Sequence, residues 1–301
     1  MQPLLVKNLV KHYGSVQALR GVSFDVRPGE VFGLLGPNGA GKTSLISVVV
    51  SLEEPTEGSV LVFDKDVRVE PRAVKCQLGW VPQEVINSGY FSVEEIMRFH
   101  AGYFGVSPSS SRLPELMKML GIWDHRHKKV KQLSGGMKRR LMIAKALIHK
   151  PGLILLDEPT AGVDVELRAK LWELILELRA SGVSILLTTH YLEEAQQLCD
   201  RVAIIHQGEI RAIDKTQALI EKFSRKQVNI RLSRPLVHLN HPDLFRGAGE
   251  NWVFLTGMKK PVGELIGELG VPASDVADVS VVPGSLEDVF LRFTREENQN
   301  G

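Results

Sequence analysis

A chain of 301 residues, 44% of them hydrophobic and 24% charged, is long for one domain and suits a large core with a smaller unit attached. Its net charge of +2 lacks the basic excess of a nucleic-acid binder, and its apolar content argues against disorder. Cys76 and Cys199 stand alone without metal or Cys-x-x-Cys spacing, so no disulfide framework is expected and a reducing cytoplasm is the natural setting.

Met1 to Lys7 carries no signal-peptide pattern and runs straight into β-type alternation. From Leu4 to Asp25 short β-type runs alternate with turns at Gly14-Ser15 and Arg20-Gly21, which predicts an antiparallel flank sheet. The apolar run Val31 to Leu35 then leads into Gly36-Pro37-Asn38-Gly39-Ala40-Gly41-Lys42-Thr43, which fits G-x-x-x-x-G-K-[ST] between a strand and a helix. The glycines let successive N–H groups point into one concavity, which suits a polyphosphate together with the positive end of the following helix. Lys42 is placed to reach the β/γ-phosphates and the Thr43 hydroxyl to ligate Mg²⁺. Ser44 to Leu52 continues a helix, broken at Pro55 to Ser59 before a strand at Val60 to Phe63.

Between Gln83 and Leu133 the pattern turns helical. Ser92 is a cap for Val93 to Phe104, where Ile96, Phe99, His100 and Tyr103 recur at helical spacing, and Leu113 to Leu120 follows Ser109-Ser110-Ser111. The cluster His125 to Lys129, with Lys131, reads as a solvated loop, or else as a contact for anionic lipid or a partner. Leu153 to Asp157 is a fully apolar run ending in an acid, as in a buried parallel strand with its carboxylate at the ligand-facing edge. Asp157 is then a magnesium ligand, directly or through water, and Glu158 is placed to orient and deprotonate an attacking water. Val165 to Ser181 is an amphipathic helix ending at Gly182, and Ile185 to Thr189 is an apolar strand. No apolar run reaches the roughly 18 residues of a membrane-spanning helix, so any membrane role is peripheral.

Leu133-Ser134-Gly135-Gly136-Met137, upstream of the Asp157 strand, resembles the signature motif of the ATP-binding cassette (ABC) family, and the resemblance covers about three quarters of the chain. Locally it is a helix start, with Ser134 as cap and Gly135 and Gly136 leaving the first amides uncovered for an anion. The resemblance implies an α/β P-loop NTPase with a RecA-like core, an antiparallel β flank sheet and a helical subdomain at about residues 84–132 that receives helices of a membrane subunit. It implies that Tyr13 lies under the adenine of ATP, that Gln83 senses Mg²⁺ and the attacking water, and that His190 contacts the γ-phosphate. It also implies that Asp164 links two opposed sites and that Ser134, Gly135 and Gly136 meet nucleotide held by a second cassette. A lone subunit is then a poor ATPase. Most of the family has Gln where this chain has Met137. Met followed by a basic run, here Lys138-Arg139-Arg140, resembles the drug and polysaccharide exporter branch of ABC-2 type.

Val202 to His206 and Glu209 to Ile213 are expected to close the cassette, given bounds of 1–225. After Lys226 the charge balance turns from basic to acidic, and strand-like Val228 to Leu232 and Trp252 to Leu255 with a helical Val262 to Leu269 predict a small α+β unit over 226–295, with a frayed tail at 296–301. Ser285 to Leu291 resembles the C-terminal helix of the same exporter branch. The leading expectation is the ATPase subunit of a membrane exporter. It would pair with a second copy, sit under an integral permease on the cytoplasmic face of the membrane, and bind ATP and Mg²⁺ rather than nucleic acid. A cassette of a soluble machine acting on ribosomes or DNA, and a nucleotide-binding module without turnover, remain as alternatives. The first usually has two cassettes per chain or a long coiled coil between the motifs, and neither is present.

Overall fold

Alternation from Leu4 onward produces a half-buried antiparallel hairpin, β1 (Leu4–Tyr13) with β2 (Val16–Val26). The expected turn at Arg20-Gly21 is instead a bulge inside β2. Leu9 pairs with Val22 and Val10 with Arg20, which leaves Gly21, at φ 83°, as the extra residue. β3 (Val31–Leu35) follows, then α1 (Lys42–Val49), β4 (Glu57–Val62) and β5 (Lys65–Asp66). The flank sheet runs β2-β1-β4-β5 and shares a core with the face of β3, where the Phe24 and Phe32 rings stack at 5.1 Å. The structure is a computed structural model and describes residues 1–84, 89–107, 110–236 and 241–295.

After α2 (Pro71–Gln77) and β6 (Leu78–Val81) come the helices α3 (Val93–Tyr103), α4 (Arg112–Met119) and α5 (Gly135–Leu147). Parts of the expected 84–132 lobe, residues 85–88 and 108–109, lie outside the described residues. Ser92 and Glu95 form a reciprocal capping box at the start of α3, as its sequence requires. The helix buries Val93, Met97 and Ala101, and leaves the neighbouring stripe open, with Phe99 60% and Tyr103 76% exposed. The spacing that marks the helix is therefore not its core face.

Next come β7 (Leu153–Asp157), α6 (Val165–Ala180), β8 (Ser184–Thr189), α7 (Leu192–Leu198), β9 (Arg201–His206) and β10 (Glu209–Lys215). These complete a six-stranded sheet in the order β10-β9-β3-β8-β7-β6, with β9, β3, β8, β7 and β6 parallel. Every residue of β3, β7 and β8 is buried, which is why those segments are apolar throughout. Leu171, Leu174, Ile175 and Leu178 are the buried stripe of α6. Gly182 follows at φ 88°, a left-handed position that stops the helix without strain. Among the described residues no helix is long and apolar enough to cross a membrane.

The chain divides into two compact units, Met1–Ile213 and Asp214–Gly301, so the boundary falls before the composition change at Lys226. The second unit begins with α8 (Thr216–Phe223), because Phe223 meets Phe293 of α10 (Leu286–Arg295) edge to face at 4.9 Å. Between them β11 (Arg225–Leu236), β12 (Leu244–Gly257) and β13 (Val276–Val282) form an antiparallel sheet ordered β12-β11-β13. Helix α9 (Val262–Glu268) covers one face through Leu265, over Val228, Ile230, Trp252 and Phe254. The expected frayed tail at 296–301 lies outside the described residues.

Candidate nucleotide site

Parallel register decides which loops meet. Leu35 pairs with Thr189, Asp157 with Thr188, and Val81 with Leu156, so Gly36, Gln83, Glu158 and His190 all leave the sheet at its carboxyl edge. Ligands of open α/β sheets bind at that edge.

The loop Gly36 to Thr43 needs its glycines for two reasons. Gly39 and Gly41 have φ 80° and 106°, and a side chain on Gly41 would come within 2.6 Å of Ala18 O. One at Gly36 would lie 2.5 Å from Ile205 O. Pro37, Asn38, Gly39, Ala40, Gly41, Lys42, Thr43 and Ser44 line a cavity of about 600 Å³ with Gln83 and Glu158 opposite. Lys42 is folded onto its own loop, Nζ donating to Gly36 O at 2.7 Å and Pro37 O at 3.2 Å. Burial lowers its pKa, and the Glu158 and Asp157 carboxylates oppose that shift.

Glu158 is the centre of the facing wall. It is buried and sits at φ 46°, a left-handed conformation uncommon outside glycine, with its N–H donating to Thr188 O at 3.0 Å. Gln83 Nε2 donates to its Oε2 at 2.9 Å, His190 Nδ1 lies 3.2 Å from Oε1, and Lys42 Nζ lies 3.8 Å from the same oxygen. Asp157 beside it accepts the Thr188 hydroxyl; burial raises its pKa, and the Thr188 bond pulls the other way.

Tyr13 does not line this cavity, whose flank-sheet wall is Val16, Gln17, Ala18 and Arg20. Its phenol lies by Ser44 and Glu53 instead, with Lys11 Nζ 4.9 Å from the ring centre. Ser134 caps α5, accepting from the Met137 N–H at 3.3 Å, and Gly135 and Gly136 form the first turn. Ser134, Gly136 and Asp164 line a separate cavity of about 200 Å³, together with Met137 and Arg140. The glycine cradle and the signature helix therefore face different spaces within one chain.

Sequence reading missed the role of Arg139, which it gives only as one residue of the basic run Lys138-Arg139-Arg140. It is 4% exposed, and its guanidinium donates to the carbonyls of Pro82, Gln83, Asp157, Glu158 and Pro159. One side chain thus ties the signature helix to the loops carrying Gln83 and Glu158. The available signal is periodicity: Arg139 lies three, four and seven residues before Met142, Ile143 and Ala146, all buried. Thr188, read only as strand, was missed for the same reason.

A glycine cradle holding a lysine, facing a strand-end carboxylate across the edge of a parallel sheet, defines a P-loop nucleoside triphosphatase. The ABC transporter family model matches residues 19–161. Nod factor export ATP-binding protein I of Burkholderia orbicola (strain AU 1054) is 34% identical over 99% of both chains, and linearmycin resistance ATP-binding protein LnrL of Bacillus subtilis (strain 168) is 32% identical over 97% of this chain and 98% of its own. The dimeric ATP-binding cassette MJ0796, in a post-hydrolysis state with ADP and Pi, superposes with a TM-score of 0.64 at 25% identity, covering 70% of this chain and 98% of its own. The chain belongs to the ABC transporter family, as an ATP-binding, ATP-hydrolysing subunit of its exporters.

Proposed function

We propose that the first unit, Met1–Ile213, is a nucleotide-binding domain in which Glu158 is the general base, with Gln83 and His190 orienting it, and that two copies of the chain share two ATP molecules. The observation that carries this is the buried carboxylate of Glu158 with Gln83, His190 and Lys42 around it. On ATP binding Lys42 exchanges the Gly36 and Pro37 carbonyls for phosphate oxygens, and the loop amides, through Ser44, take up the rest. Glu158 then accepts the proton of the attacking water, and His190 meets the γ-phosphate. Tyr13, whose phenol lies beside Ser44 of α1, stacks under the adenine.

The Thr43 hydroxyl, the Asp157 carboxylate and the Gln83 amide oxygen are hard oxygen donors, and such a set fits Mg²⁺, which is completed by phosphate oxygens and water. Bound there, the ion supplies charge neutralisation on the β- and γ-oxygens. Because the signature helix opens onto a different space from the cradle, Ser134, Gly135 and Gly136 serve the ATP of a second copy, with Asp164 between the two sites.

The groove between α3 and α5, lined by Trp80, His100, Tyr103, Lys145 and His149, receives a helix of an integral permease and holds the subunit at the cytoplasmic membrane face. The second unit, from Asp214 and α8 onward, is the accessory C-terminal domain. The test is Glu158→Gln: the full chain is incubated with Mg·ATP, and mass and phosphate release are measured. A stable ATP-bound dimer with turnover lost is expected. Undiminished turnover would refute the assignment of the base.

A further inference from the structure

Helix α7 carries a carboxylate that the reaction above does not use. Glu194 is 1% exposed, and burial holds its carboxyl above the usual carboxylate range. Around it stand the Thr189 hydroxyl, one residue before His190, the Thr160 hydroxyl, four before Asp164, and the indole N–H of Trp172 and guanidinium of Arg168 from α6. Thr189, Thr160 and Trp172 act on it as side-chain hydrogen-bond donors, yet at neither carboxylate oxygen does a bond reach full hydrogen-bond geometry among the described residues. The same is true of Thr160 Oγ1, Trp172 Nε1 and Arg168 Nε, all closed off from solvent. Buried polar groups are almost always satisfied, so five atoms at one place that fall just short of full hydrogen-bond geometry form a network that a small displacement can tighten.

Contacts run outward from this cluster to both ends of the chemistry. The Arg168 N–H donates to Asp164 O at 2.9 Å, and its guanidinium lies 5.4 Å from the Tyr191 ring centre. The Tyr191 ring meets the His190 imidazole at 4.1 Å, and the Tyr191 N–H donates to Thr189 Oγ1 at 3.0 Å. Arg139, which holds Pro159 O, is also within electrostatic reach of Glu194.

We propose that Glu194 is a positioning residue, whose carboxylate accepts from Thr160 and Thr189 when a second subunit engages the Asp164 loop and thereby sets His190 against Glu158. The proposal rests on the roles given to Asp164 and His190. Its effect falls on turnover rather than on nucleotide affinity, because Glu194 touches neither the cradle nor the substrate.

The experiment uses the full chain with Mg·ATP and the variants Glu194→Ala, Glu194→Gln, His190→Ala, Trp172→Phe and the double variant E194A/H190A. Glu194→Ala is expected to lower kcat about tenfold with KM within twofold. Glu194→Gln, which keeps the shape and an accepting oxygen, is expected to recover most of that loss. The double variant is expected to be no slower than His190→Ala alone. ATP is expected to change the tryptophan fluorescence in a component that Trp172→Phe removes and Glu194→Ala abolishes. Parental kcat in Glu194→Ala beside an inactive His190→Ala overturns this proposal and leaves the catalytic assignment standing. Parental kcat in His190→Ala overturns the assignment itself and the proposal with it. Should Glu194→Ala fold poorly, Glu194→Gln decides against the parent: a kcat within about threefold supports the coupling, and a loss of about tenfold beside an unaltered ATP fluorescence response overturns it.

Discussion

His190 Nδ1 stands 3.2 Å from Glu158 Oε1, while Gln83 Nε2 holds the other oxygen of the same carboxylate at 2.9 Å. Both oxygens are thus oriented before substrate arrives, which is what a general base requires. His190→Ala is expected to lower kcat by about a hundredfold while leaving ATP affinity within twofold. Single-turnover phosphate release and equilibrium nucleotide binding, measured side by side, separate the two. A matching fall in affinity would place His190 in substrate binding alone.

Lys42 Nζ donates to two loop carbonyls and faces the Glu158 and Asp157 carboxylates. Lys42→Ala removes the cation that the glycine loop carries, so ATP affinity is expected to fall about tenfold to a hundredfold, the usual worth of charge-assisted hydrogen bonds. Isothermal titration with ATP and Mg²⁺ measures it.

Arg139 bonds carbonyls on both sides of Glu158, so its removal leaves buried acceptors unmade around the base. Arg139→Ala is expected to cost about 3 kcal/mol or more of folding stability. Arg139→Lys should restore little, because a point ammonium cannot span the planar fork that reaches these carbonyls. Urea unfolding of the three proteins compares them, and full rescue by lysine would mean that charge, not geometry, is what α5 contributes.

Legibility followed chemistry carried by local sequence. The cradle was readable because only glycine tolerates φ 106° at Gly41 and the close approach of Ile205 O to Gly36. The strand ending in Asp157 was readable because burial on both faces forces an unbroken apolar run. The ABC resemblance of the signature rightly indicated the family, and with it the P-loop fold. What local sequence could not carry was partnership across the chain. Arg139 looks like its neighbours Lys138 and Arg140 until the loops after β6 and β7 close over it. Gly21 looks like a turn until β1 supplies the register that makes it a bulge. The division at Ile213 was hidden because α8 packs on a helix that lies far downstream, α10.

His100 gives a pH dependence whose sign is fixed. Burial, with Lys145 and His149 nearby, lowers its pKa to about 4 from an unfolded value near 6.5. Between those two values the unfolded chain binds a proton that the folded chain refuses. Stability is therefore complete above about pH 6.5 and declines as the pH falls toward 4. His149, stacked on Phe104 at 3.9 Å and also depressed by burial, acts in the same direction. The parent is thus expected to unfold at lower urea at pH 5 than at pH 7.5, and His100→Gln, which cannot titrate, is expected to narrow that gap. Equal gaps in both proteins would show that the acid sensitivity arises elsewhere.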